Sequence, residues 1–439
     1  MNDSEVELAG WGRCPVQRGH EYWLDSGDPT PSEVTLWRGL GRSYGDASLP
    51  AGAGGSVANG RRADRILDFD PECGRVRIEA GCSLRRLLAV FGPAGWWSPV
   101  CPGTQDVTIG GMVAADVHGK NHHRDGSFGR WVDSVRIELA DGSWEDVSRT
   151  REPELFRATI GGMGLTGFIR EVSFRLISIP SRSVIQETRR TRGIDATCET
   201  LRAAGEEAPY TVSWVDLMGR DLDRLRGVTF AGRWATRAEA VREPQSPGAP
   251  KSWPLPRVRA SWIRWANRAY AWRHRSGTRR VAAEPFFFPL DGVREWNRTY
   301  GDAGFIQYQA VVPWGADHGG ARRLIERFRK LDGVSYLTVI KDCGEAGDGQ
   351  LSFPMRGVTV TFDVPMSGDP TRELVRGLNA HVIEAGGRVY LAKDALTTAA
   401  EYRRMDGRWR DFEGVRRRWD PNRRLRSALS ARLFDEGNA

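Results

Sequence analysis

The chain has 439 residues, 40% hydrophobic and 27% charged, and its 64 lysines and arginines outnumber 56 aspartates and glutamates to give a net charge of +8. That length exceeds one ordinary hydrophobic core and predicts two domains or one elaborated domain. No apolar run approaches the ~18 residues of a membrane span. The start Met1-Asn2-Asp3-Ser4-Glu5 lacks the basic-then-apolar order of a signal peptide, so a cytoplasmic place is expected.

Cys14, Cys73, Cys82, Cys101, Cys198 and Cys343 are scattered with no C-x-x-C pair, which argues against a zinc ribbon or a disulfide framework and for isolated reduced thiols. Arginine clusters between Arg257 and Arg280 and between Arg403 and Arg432. Such surface suits an anionic partner, although a solvated face is the plainer reading. Nucleic acid is not expected as a partner, because no helix-turn-helix, finger or RNA-binding signature accompanies the charge.

In chain order, Ser56-Val57, Ile66–Phe69 and Arg75–Ala80 read as short strands, the last alternating polar and apolar residues. Ser83 caps a predicted helix over residues 84–91. Ser134–Leu139 and Trp144–Val147 flank Asp141-Gly142 as a hairpin. Pro153–Ile160 reads as a helix and Gly167–Leu176 as a long strand. This is an α+β arrangement without the alternating βαβ units of a doubly wound sheet. Residues 182–243 mix strands with charged helices, and the Pro-rich stretch 244–260 reads as a linker or surface loop. Strands return at Gly304–Val312, Ser335–Lys341 and Gly357–Val364, separated by helices at Ala321–Lys330 and Thr371–Ala385.

Three glycine-rich segments stand among these strands: Arg38-Gly39-Leu40-Gly41-Arg42-Ser43-Tyr44-Gly45-Asp46; Pro102-Gly103-Thr104 followed by Thr108-Ile109-Gly110-Gly111-Met112-Val113-Ala114-Ala115-Asp116-Val117-His118-Gly119-Lys120-Asn121-His122-His123; and Gly161-Gly162-Met163-Gly164-Leu165-Thr166-Gly167. Glycine lets backbone amides turn toward one concavity and lets a flat ligand or pyrophosphate approach the main chain. One such loop is equally a structural turn; three together are far more specific. None fits G-x-G-x-x-G between strand and helix, which disfavours a nicotinamide site. His118, His122 and His123 lack acidic or cysteine companions at zinc spacing, so no metal is expected.

These segments, with Glu295-Trp296-Asn297-Arg298, Gly304–Gln309, Leu351-Ser352-Phe353-Pro354 and Tyr390-Leu391-Ala392-Lys393-Asp394, resemble the decaprenylphosphoryl-β-D-ribose 2-oxidases of the vanillyl-alcohol-oxidase superfamily, in the same order along nearly the whole chain. The resemblance implies a two-domain α+β flavoprotein. An FAD-binding domain would be built from residues 1–181 and 388–439, and a substrate domain on an antiparallel sheet from 182–387. It implies FAD against Trp37, Arg38, Gly39, Leu40, Gly41, Arg42, Ser43, Tyr44, Gly45, Asp46, Ala47, Gly103, Thr104, Thr108, Ile109, Gly110, Gly111, Ala115, Asp116, Val117, His118, Ile169 and Tyr390. Tyr44 and His118 would lie close to the isoalloxazine and assist proton removal. Lys393 matches a lysine that the family needs for activity. Gln309, Lys341 and Trp214 match substrate-pocket positions. Thr359 and Thr361 occupy the strand where the best-known members carry Asn and Cys, and Lys341-Asp342-Cys343-Gly344 replaces Lys-Leu-Phe-Gly. Ser26–Ser32 leaves room only for a turn where the family has a helix.

The implied activity is FAD-dependent oxidation of a secondary sugar hydroxyl to a ketone, on a phosphate- or lipid-linked ribose-type substrate. It would be half of an epimerisation completed by a short-chain reductase. The alternative is an aldonolactone oxidase acting on a soluble sugar lactone, and a non-enzymatic basic binding protein is more remote. Because Trp37–Ala47 holds neither His nor Cys, FAD is expected without a covalent link. Finally, Trp262, Trp265, Ala269 and Trp272 form one helical stripe bordered by Arg264, Arg268, Arg273 and Arg275. This is either a face packed in the core or a lid that contacts a membrane.

Overall fold

Alternation places the strands: Val76 and Ile78 are fully buried between exposed Arg75 and Arg77, so one face of Arg75–Glu79 joins the core. In the computed structural model, which describes residues 3–219, 221–239 and 260–435, this strand belongs to a five-stranded antiparallel sheet. Its order is Ile66–Asp70, Arg75–Glu79, Phe168–Arg175, Val132–Glu138, Trp144–Ser148. The last two form the predicted hairpin, with Val135 opposite Val147. Ser83 accepts from the Arg86 amide and opens the helix Leu84–Phe91. Pro153–Thr159 is helical as predicted.

A four-stranded sheet runs Asp3–Ala9, Val16–Trp23, Ser56–Asn59, Val34–Arg38, and its last three strands are parallel. Residues 24–33 join two of them by turns alone, with no helix. The parallel pairing was not expected, because distant partners leave no turn signal in the sequence.

An eight-stranded, wholly antiparallel sheet runs Gly277–Ala282, Ser183–Arg192, Arg226–Trp234, Tyr210–Val215, Thr338–Cys343, Gly357–Pro365, Phe305–Val312, Arg388–Val389. The pleat sorts its side chains. Val358, Val360 and Phe362 join Leu201, Leu324, Phe328 and Leu378 of the helices Ile194–Glu207, Gly320–Lys330 and Asp369–Glu384 in one apolar cluster. Thr359, Thr361 and Asp363 alternate with them and take the opposite face. The strand expected from Ser335 begins only at Thr338, because the Asp363 amide divides its donation between the Ser335 hydroxyl at 3.0 Å and the Leu337 carbonyl at 3.2 Å, which bends residues 335–337 out of the regular ladder. The stretch 244–260, expected as a linker, lies outside the described residues apart from Ala260, which opens the helix Ala260–Arg273.

The chain's end closes on its beginning. Arg432, in the helix Ala428–Leu433, donates to both carboxylate oxygens of Asp46 and to Asp394 Oδ2, each at 2.8 Å, and also to the Thr397 carbonyl. Asp46 and Asp394 are 3% and 8% exposed. Burial opposes the guanidinium's charge, but the two carboxylates outweigh it and raise its pKa. Removing the cation strands two buried anions, so Arg432→Met should lower the unfolding free energy by about 3 kcal/mol in urea denaturation. A loss under about 1 kcal/mol would mean that the pair behaves as an exposed one.

Candidate active site

A continuous cavity of ≈ 1390 Å³ lies against both the glycine-rich segments and the polar face of the eight-stranded sheet. Its glycine side is shaped by local caps and close packing. Thr108 accepts from the Gly111 amide at 3.2 Å and starts the helix Ile109–Ala114. The segment read as a loop is therefore helical, since Thr108 supplies a cap and small residues do not forbid the turn. The Tyr44 amide donates to the Ala392 carbonyl at 2.9 Å. A Cβ on Gly45 would stand 1.8 Å from the Asp394 carbonyl oxygen, so only glycine lets the first segment dock there.

This docking brings the centre together. Lys393 and Asp394 amides both donate to the Tyr390 carbonyl, at 2.9 and 3.1 Å. The resulting turn sets Lys393 Nζ 3.6 Å from the centroid of the Tyr44 ring, a cation–π contact. Burial lowers the Lys393 pKa, opposed by the Asp363 carboxylate and reinforced by Lys341. Burial raises the Asp363 pKa in turn. Gln307 donates to Asp363 Oδ1 at 2.5 Å, and Tyr300 donates to Oδ2 at 3.5 Å. Burial, and then Asp363, raise the Tyr44 phenol far above its usual value, so it stays protonated.

His118 sits across the cavity wall. Gln309 Nε2 lies 2.9 Å from His118 Nε2, and with the amide as donor the neutral ring carries its proton on Nδ1. That buried Nδ1 has no hydrogen-bond partner among the described residues. Burial first, then Lys341, His122 and Lys393, push the imidazole well below its ordinary pKa. Burial lowers Lys341 to about 8. Burial, with Lys341 second, lowers Lys120 to about 7, and its ammonium donates to the Phe287 carbonyl at 2.9 Å. Three lysines thus border one cavity. His122 Nδ1 accepts from the Gly344 amide, and His123 Nε2 faces the Ala208 carbonyl, so the three histidines serve separate partners.

Of the residues expected at FAD, Trp37, Arg38, Gly39, Leu40, Gly41, Arg42, Ser43, Tyr44, Ala47, Gly103, Thr104, Thr108, Gly110, Gly111, Ala115, Val117, His118, Ile169 and Tyr390 line the cavity. Lys393, Trp214, Gln309, Lys341 and Thr361 line it too. Five expected positions do not reach it. Gly45 is pressed on Asp394, and Asp46 is held by Arg432. Ile109 is fully buried on the inner side of its helix. Asp116 accepts from Ser127 and from the Gly129 amide, both at 2.7 Å, and from Ser352, which makes it an internal tie. Thr359 is fully buried, one pleat repeat beyond Thr361. Gly110 is small for a reason other than ligand approach: its Cβ would meet the Ala80 Cβ at 2.8 Å.

The structure adds residues that sequence reasoning missed. Lys120 stands inside a recognised motif, yet nothing local marks it as buried. Gln307 and Asp363 lie two residues from Gln309 and Thr361 on paired strands, so period-two alternation was the available signal.

The residues fit a dinucleotide-sized flavin cofactor. The cavity exceeds the roughly 300–1,000 Å³ of a pocket for one small ligand. A Cβ at Gly103 or Gly164 would meet nothing within 4 Å, which leaves open backbone for close approach. The unpartnered His118 Nδ1 adds a donor. Comparison with known sequences agrees. A family model for the FAD binding domain matches residues 32–148. The chain is 35% identical to decaprenylphosphoryl-beta-D-ribose oxidase of Mycolicibacterium smegmatis, with 97% of each chain covered. It is 31% identical to an uncharacterized protein in the mprA 5′ region of Streptomyces coelicolor, over 80% of this chain and 99% of that one. It is 29% identical to delta(24)-sterol reductase of Rattus norvegicus, over 30% and 26% of the two chains. A relative this similar along the full length, together with the matched FAD domain, shows that the chain belongs to the decaprenylphosphoryl-β-D-ribose oxidase family of FAD-dependent oxidoreductases.

Proposed function

We propose that the enzyme oxidises a secondary hydroxyl of a phosphate-linked, ribose-type sugar, taking C2 from alcohol to ketone. The observation that carries this reading is the single cavity, with residues of the FAD binding domain on one side and Lys120, Lys341 and Lys393 around it. On this reading residues 1–181 and 388–439 form the cofactor domain, and 182–387 the substrate domain.

When bound, the flavin supplies a hydride acceptor for the carbinol carbon. Lys393 takes the hydroxyl proton: burial favours its neutral amine, and Asp363 favours the ammonium that results. Tyr44 stays a phenol, and its ring supports the Lys393 ammonium. His118 is too weakly basic to compete for the proton and instead offers Nδ1–H as a donor into the cavity. Gln309 fixes that ring, and Thr361 lies opposite Gln309 on the neighbouring strand, where it contacts the sugar. Lys341 and Lys120 meet the phosphate. The ketone needs a hydride donor to complete an epimerisation, so a separate NAD(P)H-dependent short-chain reductase is the partner proposed.

Incubation with a prenylphosphoryl ribose should yield a product lighter by two hydrogens in mass spectrometry. Lys393→Met should retain its flavin yet lose turnover by a factor of about 100 or more. Flavin loss with normal turnover per remaining flavin would contradict the role given to Lys393. FAD should be held without a covalent link, since Trp37–Ala47 offers neither His nor Cys; acid precipitation should leave the yellow colour in the supernatant, and colour in the pellet would refute this. Lys341 is charged below about 8 and neutral above it. The ratio of kcat/KM for a phosphate-bearing over a phosphate-free ribose should therefore fall as pH rises through about 8. A ratio flat across that range would remove Lys341 from phosphate recognition.

A further inference from the structure

The helix Ala260–Arg273 has two unlike faces. On the inner face, Asn267 donates to Asp216 Oδ1 at 2.8 Å, Ala271 is buried, the Tyr270 ring lies 4.8 Å from Trp214, and just past the helix the His274 ring lies 5.2 Å from Phe230. Ala266, Asn267, Tyr270 and His274 also line the cavity, so this segment forms part of the active-site wall. On the outer face, Trp262, Trp265 and Trp272 are 63%, 68% and 67% exposed. At 100° per residue these three fall within one sector of about 80°, with Arg268 at its edge. The reading of this stripe as core therefore does not hold.

Arg264, Arg268, Arg273 and Arg275 accompany the tryptophans, and residues 260–275 contain no carboxylate. Among the described residues none pairs with Arg264, Arg268 or Arg273 in an ion pair. No described helix is long and apolar enough to cross a membrane. We propose that this outer face docks on an anionic lipid bilayer, tryptophans at the headgroup level and arginines on lipid phosphates. Three large indoles in water favour a covering surface, and tryptophan with arginine suits the bilayer interface. Charge selects the occupant: a second copy would bring the same arginines against these, with no carboxylate on the helix to meet them. Because the inner face walls the cavity, docking holds the active site beside the lipid. The inference names a partner for the proposed site but rests on the helix alone, and its test contains no sugar.

The test is sedimentation of the full chain, with FAD bound, on vesicles of phosphatidylcholine alone or with phosphatidylglycerol added, at low and high salt. Binding is expected to the anionic vesicles at low salt and should fall at high salt. The double variant Trp262→Ser, Trp265→Ser should bind about tenfold more weakly, and Arg264→Glu with Arg268→Glu should lose the salt-sensitive part. Flavin content and urea midpoint should stay as in the parent, since these side chains contact neither core nor cavity. No binding to anionic vesicles at low salt would overturn the proposal. So would binding that survives the tryptophan pair, or a dimer in solution that the tryptophan pair dissolves.

Discussion

One guanidinium joins the two halves of the active site. Arg432 spans Asp46, two residues from Tyr44, and Asp394, next to Lys393. Without a cation, two buried carboxylates would repel, and the segments that carry them would part. With it, the first glycine-rich segment settles on the Lys393 turn closely enough that Gly45 has no room for a Cβ. The contact of Lys393 with the Tyr44 ring follows from that docking, as does the position of both at the cavity. The C-terminal helix thus holds the candidate site together although none of its residues lines the cavity.

The second organising effect is desolvation. Lys393, Asp363, Tyr44 and His118 all have pKa values moved chiefly by burial, each toward its uncharged form. Lys393 and Asp363 are thereby moved toward each other, so a proton can be handled between them, while Tyr44 stays protonated and His118 stays neutral. Lys341 raises the local positive potential for His118, Lys120 and Lys393 alike. A cavity with that bias favours a substrate that brings its own negative charge.

Much of this was legible in the sequence and some was not, for physical reasons. The strands with strict alternation, the Ser83-capped helix and the Asp141-Gly142 hairpin are local patterns, and they stand where expected. The helix Ile109–Ala114 hid behind its glycines: Gly110 packs on Ala80 while Gly111 carries the capped amide, so one pair of small residues serves two purposes. The parallel strands near the N-terminus depend on partners tens of residues apart. Arg432 is one of 64 lysines and arginines, and only tertiary contact separates it from those that face solvent. The tryptophan stripe was visible as periodicity, but whether it faced core or solvent depended on what packs beside it.

The account stands on the claim that this one cavity holds FAD and passes it electrons from a phosphate-linked ribose. Anaerobic titration of the purified yellow protein tests that directly, by following the flavin absorbance band as substrate is added. The account predicts that a prenylphosphoryl ribose bleaches the band to completion and that a soluble sugar lactone leaves it unchanged. A band that persists with the phosphate-linked ribose but is bleached by the lactone would contradict it.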